Sequence, residues 1–148
     1  MRKFEFVRPE CRKGGMDKLP TRSTKYAAAY DFYSPLYAIV EPHKSIMIWT
    51  NVKAQMEHNE VLLINVRSSM GKQPVMIANT QGWIDSDYYG NESNDGNIGV
   101  RLYNLGDTPY EIKTGDRIAQ GMFVKYLTTD DDKGDGAVRT GGIGSTGV

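Results

Sequence analysis

Hydrophobic residues recur along the chain in short runs and not at helical spacing. Phe4 and Phe6 alternate with charged neighbours, Leu36 to Val40 and Ile46 to Trp49 are brief apolar stretches, and Val61 to Val66 reads as a buried strand. Asn97 to Asn104 alternates, with Ile98, Val100 and Leu102 on one face and Gly99, Arg101 and Tyr103 on the other. Ile118 to Leu127 is the longest strand candidate. No window of a dozen residues carries a period of about 3.6. The 16 glycines and 6 prolines interrupt the runs often. Short strands with turn signals every 8–12 residues or so predict an all-β sandwich or barrel, with at most one or two short helical turns.

Two segments depart from this pattern. Asn91 to Asn97 is polar and rich in turn residues, and it reads as a hairpin loop. Residues 130–148 open with three aspartates and close in a glycine-rich stretch. Such a stretch cannot build a core and is expected to be mobile unless something holds it. The expected organisation is therefore one β-domain over 1–129 and a flexible C-terminal lid over 130–148.

Composition narrows the functional classes. The 148 residues carry 18 Lys+Arg against 18 Asp+Glu, and 39% are apolar, the profile of one globular domain. Zero net charge removes the electrostatic footprint of a nucleic-acid partner. Arg8, Arg12, Lys13, Lys18, Arg22 and Lys25 lack the aromatic interleaving of a nucleic-acid groove and read as solvated surface. No apolar run approaches the roughly 18 residues of a membrane span. Met1 to Val7 is charged and alternating, unlike a signal peptide. Cys11 is the only cysteine, and His43 and His58 are far apart, which argues against a disulfide, a zinc site or a histidine cage. A cytoplasmic, disulfide-free domain is expected.

Five segments carry candidate chemistry. In Arg139 to Gly147, glycine-rich backbone combines with one arginine and the hydroxyls of Ser145 and Thr146, a set suited to an anionic phosphate chain. Gly142, Gly144 and Gly147 match a dinucleotide fingerprint by spacing, but no strand–helix context surrounds them, and a frayed terminus has the same composition. In Gly82 to Gly90, Asp85 and Asp87 share a face of an extended chain; they can orient water, hold a metal through water, or cap a turn. Arg67, Ser68 and Ser69 follow a strand and precede Gly71, as in an anion site or in a capped turn with a surface arginine. Gln120 lies on the same strand face as Ile118 and Met122, an odd place for an amide without a partner. Asp31 sits inside an apolar stretch, Ala28 to Phe32, and wants an arginine or a water network.

Singly these segments are ambiguous; their order and spacing are not. Together they resemble the trimeric deoxyuridine triphosphate nucleotidohydrolase (dUTPase) family, over about residues 20–148. Ala28 to Phe32 looks like the first family motif, with Ala29 for glycine and Phe32 for leucine. Arg67 to Gly71 is similar to the second, Gly82 to Gly90 to the third, and Gly115 to Gln120 to the fourth. Arg139 to Gly147 resembles the fifth, slightly shortened and with Ile143 in place of an aromatic. The polar loop after the third motif looks like that of Gram-positive bacteria and their phages.

The resemblance implies a jelly-roll subunit and a homotrimer with sites shared among three chains. It implies hydrolysis of dUTP to dUMP and pyrophosphate with Mg²⁺ on the triphosphate, clearing dUTP from the nucleotide pool and supplying dUMP for dTMP. Carried over by motif, Asp85 would orient and deprotonate the attacking water. Tyr88 would lie against the deoxyribose, and Asn79 would pair with the uracil edge. Arg67, Ser68, Ser69 and Gln120 would contact phosphates, and Asp31 would join the network around the magnesium waters. Arg139, Ser145 and Thr146 would grip the outer phosphates, in an arm where Ile143 covers the base and Gly144 lies beside it. Two alternatives stand beside this reading. A dCTP deaminase shares the fold, but needs a glutamate base and a proline-glycine-aromatic sequence where this chain has Asp85-Ser86-Asp87-Tyr88. A dUTP-responsive regulator would bind a protein partner through the loop Asn91 to Asn97.

Overall fold

The computed structural model describes residues 1–144. It contains eleven strands and three 3₁₀ turns: β1 (Lys3–Phe6), β2 (Tyr30–Tyr33), β3 (Ala38–Val40), β4 (Ser45–Trp49), β5 (Val52–Gln55), β6 (Glu60–Asn65), β7 (Val75–Ile77), β8 (Gly82–Asp85), β9 (Gly99–Asn104), β10 (Tyr110–Ile112) and β11 (Arg117–Lys125). The expected all-β architecture is what forms, and every pairing among these strands is antiparallel. A four-stranded sheet runs β2-β11-β6-β8, a three-stranded sheet β4-β9-β7, and β1-β5 and β10-β3 form separate pairs.

Strand alternation places the core. Leu62 and Ile64 of β6 point inward with Phe32 of β2, against Ile48 of β4 and Val100 and Leu102 of β9. On the outward face of β6 Val61 is buried, while Leu63 and Asn65 are only half-buried. Where β11 crosses the Phe32 ring it carries Gly121; a Cβ there would meet Phe32 Cε2 at 2.8 Å and Leu62 Cδ1 at 3.1 Å. The predicted alternation of Ile98, Val100 and Leu102 holds, all three being buried.

Three expectations are corrected. Strands β2, β5, β7, β8 and β10 escape the hydrophobic pattern because each is three or four residues long and has at most two buried positions. There are three 3₁₀ turns, Pro9–Cys11, Ser68–Lys72 and Ser86–Tyr88. They are closed by local bonds such as the Met70 N–H to the Arg67 carbonyl, 2.9 Å, which need no apolar period.

The third correction concerns Asn91 to Asn97, which is neither a hairpin nor a free polar loop. It joins β8 in one sheet to β9 in another, and Asn91, Asp95 and Asn97 are buried. Asn91 Nδ2 donates to the Tyr88 carbonyl at 2.8 Å, while its Oδ1 accepts from the N–H groups of Ser93 and Asn94. Asn97 Oδ1 accepts from the Asn51 N–H and its Nδ2 donates to the Cys11 carbonyl, tying the N-terminal segment to the core. Asp95 accepts from Lys53 Nζ at 2.9 Å and from the Arg8 N–H at 2.8 Å. Burial alone would raise the Asp95 pKa; these two hydrogen bonds outweigh it and hold the carboxyl below its ordinary range. Buried polar groups are tolerated only when paired, and this loop pairs them both within itself and with Arg8, Cys11, Asn51 and Lys53. Among the described residues, no helix is long and apolar enough to cross a membrane.

Candidate active site

The alternation of β6 creates two clefts. Ile64, facing one way, lines the first together with Asn79, Gly82 and Asp85; Leu63 and Asn65, facing the other, line the second together with Arg67 and Gln120. The first cleft encloses about 490 Å³, enough for a small organic group. Its floor is apolar, from Ile64, Ile77 and Val100, and its rim is polar.

The rim begins at the turn between β7 and β8. The Thr80 N–H donates to the Ile77 carbonyl at 2.8 Å, and its hydroxyl donates to the Asn79 carbonyl at 2.6 Å. Asn79 is exposed at this turn, its side chain at the cleft. β8 then runs to Asp85, the last strand residue, where the backbone leaves the sheet for the turn Ser86–Tyr88. That change of direction leaves the Asp85 carboxylate 55% exposed at the cleft mouth. Tyr88 closes the same end. Its ring is buried, its hydroxyl donates to the Asn97 carbonyl at 2.7 Å, and it accepts from Asn94 Nδ2 at 2.8 Å. Burial raises the Tyr88 pKa above its ordinary value, with the Asn94 bond opposing, so the phenol stays neutral.

The C-terminal arm lies across this end. Arg139 Nη2 pairs with Asp85 Oδ2 at 3.0 Å and Nε with Asp87 Oδ1 at 3.4 Å. The Glu92 N–H donates to the Thr140 carbonyl at 3.1 Å, and Ile143 lines the first cleft while remaining 74% exposed. Gly144 has φ +75°, a conformation glycine adopts without strain. Ser145 and Thr146 lie outside the described residues.

The second cleft holds the cations. Arg67 Nε donates to Asp31 Oδ1 at 2.9 Å, and Arg117 Nη1 lies 3.5 Å from Asp31 Oδ2. The buried aspartate thus has the arginine partners its apolar setting demands. Arg67 Nη1 also donates to Ser69 Oγ at 3.2 Å, fixing the guanidinium over the turn Ser68–Lys72. Ser68 and Gln120 line this cleft, and Gln120 Nε2 donates to the Val66 carbonyl at 3.2 Å, leaving its oxygen available.

The structure therefore gathers Asn79, Asp85, Tyr88, Arg139 and Ile143 at one cleft, and Asp31, Arg67, Ser68, Ser69 and Gln120 at the other. Sequence reasoning passed over Arg117, Asn65 and Gln81. Arg117 sits inside a recognised motif beside Gln120, whereas Asn65 and Gln81 carry no local signal and are found only by strand pairing.

An all-β fold with a carboxylate–arginine pair at an apolar-floored cleft, and two arginines on a buried aspartate nearby, is built to hold an anion beside an uncharged group. The family model described as dUTPase matches residues 17–147, and the chain belongs to that family. It is 36% identical over 150 residues to the deoxyuridine 5'-triphosphate nucleotidohydrolase of Lactococcus lactis subsp. lactis, covering 100% of this chain and 99% of that one. It is 38% identical over 133 residues to the enzyme of the same name from Picosynechococcus, covering 84% and 89% of the two chains. The crystal structure of dUTPase from Streptococcus mutans superposes with a TM-score of 0.76 at 32% identity, covering 86% of this chain and 98% of that one. A dUTPase from phage phi11 of S. aureus shares the fold, with a TM-score of 0.72 at 21% identity over 90% of this chain and 95% of that one.

Proposed function

We propose that the protein hydrolyses dUTP to dUMP and pyrophosphate, at sites shared between copies of the chain. The observation that carries this reading is the exposed carboxylate of Asp85 at the mouth of the cleft that also holds Asn79 and Tyr88. An ionised carboxylate there can accept a proton from water and aim its oxygen at the α-phosphorus. The new P–O bond forms on the α-phosphate, the bond from the α-phosphorus to the bridging oxygen breaks, and pyrophosphate leaves. Asn79 and the main chain of its turn pair with the uracil edge. Cytosine offers a donor where uracil has an acceptor, and thymine adds a methyl, so both mismatches are penalised. The buried Tyr88 ring leaves no room for a ribose 2′-hydroxyl.

Arg67, Ser68, Ser69 and Gln120 take the phosphates, with Asp31 holding Arg67 and Arg117 in place. These residues line the second cleft, whereas Asp85 lies at the mouth of the first. A second copy supplying the phosphate cleft completes the site, and the arm with Arg139, Ser145 and Thr146 closes it; the assembly is a homotrimer. In the described chain Arg139 holds Asp85 and Asp87, a place its guanidinium leaves when phosphate oxygens offer bidentate partners.

Among the described residues, no group of three or more His, Cys, Asp or Glu is placed to hold a metal. Asp31 has both carboxylate oxygens engaged by arginines, so the donor set suits a hydrated Mg²⁺ carried on the triphosphate, near Asp31 and Asp85, and not a protein cage. When bound, Mg²⁺ would neutralise phosphate charge. The test is pyrophosphate release with dUTP, dCTP, dTTP and UTP. Turnover of dUTP alone is expected; deamination of dCTP, or equal turnover of all four, would overturn the reading.

A further inference from the structure

The outer face of β6 and β8 carries a chain of polar side chains assigned no role so far. Trp83 Nε1 donates to Gln81 Oε1 at 3.0 Å, Gln81 Nε2 donates to Asn65 Oδ1 at 2.8 Å, and Asn65 Nδ2 donates to the Thr80 carbonyl at 3.2 Å. The sense of this chain is dictated by its first member. An indole N–H is only a donor, so the Gln81 oxygen must face it. Its amide nitrogen then faces Asn65, and the Asn65 nitrogen is left for Thr80.

The recipient of that last bond is unusual. Thr80 has φ +68°, a region that β-branched residues rarely adopt and that persists only where surrounding contacts impose it. Its N–H is held by the Ile77 carbonyl at the end of β7 and its hydroxyl by the Asn79 carbonyl within the turn. The Ala78 N–H ties the start of the turn to the Arg101 carbonyl of β9, and the Asn65 bond ties Thr80 to β6. Asn65 also pairs across the strands with Gln120, in the second cleft, while the turn it holds rims the first.

We infer that Asn65, oriented by Gln81 and Trp83, is a specificity-positioning residue. It holds the Ala78–Gln81 turn in the strained form in which Asn79 and the turn's main chain face the pyrimidine. The inference rests on the proposed reading of Asn79 as a base contact. A fixed turn penalises the mismatched donor of cytosine, whereas a turn free to relax accommodates it. Removing the tie should therefore erode discrimination, and not only affinity.

The experiment measures kcat/KM for dUTP and for dCTP, by pyrophosphate release, in the full-length wild type and in Asn65→Ala, Asn65→Asp and Trp83→Phe. Asn65→Asp retains the acceptor for Gln81 but lacks the donor to Thr80. Both Asn65 variants are expected to raise KM for dUTP and to contract the dUTP:dCTP ratio about tenfold, the scale of one hydrogen bond. Trp83→Phe, at an exposed position, should contract the ratio in the same direction by about threefold. Loss of a phosphate contact, or of stability alone, would lower both substrates together and leave the ratio unchanged; that result overturns the inference. If the Asn65 variants fail to fold, an unchanged ratio in Trp83→Phe overturns it equally. A wild type that does not prefer dUTP defeats the function reading instead.

Discussion

Asp85 owes its position to a change of backbone direction: β8 ends there, and the Ser86–Tyr88 turn leaves the carboxylate facing solvent at the cleft. Asp85→Asn is expected to lower dUTP turnover by about 10²- to 10⁴-fold, the usual loss for a positioned base, while dUTP still binds. Rapid-quench turnover with parallel calorimetry checks both halves; retention of more than about a tenth of the rate removes Asp85 from the role. Asp95 plays a different part, in stability. Its folded pKa is depressed, so its contribution is complete above the ordinary carboxylate value near 4 and is lost as pH falls through the lower folded value. Thermal melts between pH 7 and pH 2.5 or so should show the wild type losing stability below about pH 4 more steeply than Asp95→Asn. Parallel acid limbs for the two proteins would contradict the account.

Among the described residues, the arm from Arg139 onward meets the body of the chain through two partly exposed ion pairs and two main-chain N–H bonds, Arg139 to the Asp87 carboxylate and Glu92 to the Thr140 carbonyl. Exposed pairs contribute about 0–1 kcal/mol each. Ordering a glycine-rich arm costs roughly 1–2 kcal/mol per residue, so tight closure needs the triphosphate's charge-assisted bonds. Deleting 139–148 is therefore expected to cut turnover severely while moving Tm little. Melting and pyrophosphate release on the truncated protein decide the point. A collapsed Tm makes the arm structural, and an unchanged rate removes the lid. The dUMP product lacks the outer phosphates and should hold the arm poorly, which allows release.

The outer face of the four-stranded sheet exposes Trp83, 67% accessible, and Met122, 38%, beside the phosphate cleft. Apolar surface next to half a site is the expected signature of a face that another copy covers. Sedimentation equilibrium is expected to give three times the 16.6 kDa chain mass. An active monomer would refute both the trimer and the shared site.

The order of motifs along the chain already pointed to the family, and it singled out Asp85, Tyr88, Arg67 and Gln120, with Asn79 just ahead of the third motif, as candidates, because each motif is local. The alternation at Ile98, Val100 and Leu102 likewise announced a strand, since a period of two is written in consecutive residues. Other features depended on residues distant in sequence. Strands of three or four residues such as β7 and β10 are too short to carry a period and exist because β9 and β3 pair with them. The loop Asn91 to Asn97 reads as solvated because its residues are polar; it is buried because Lys53, Arg8 and Asn51 arrive from elsewhere to satisfy it. Asp31 met Arg67 and Arg117, 36 and 86 residues away, only through folding. The tie from Trp83 through Gln81 and Asn65 to Thr80 has no linear signature, because hydrogen bonding between strands depends on register, and register is a property of the assembled sheet.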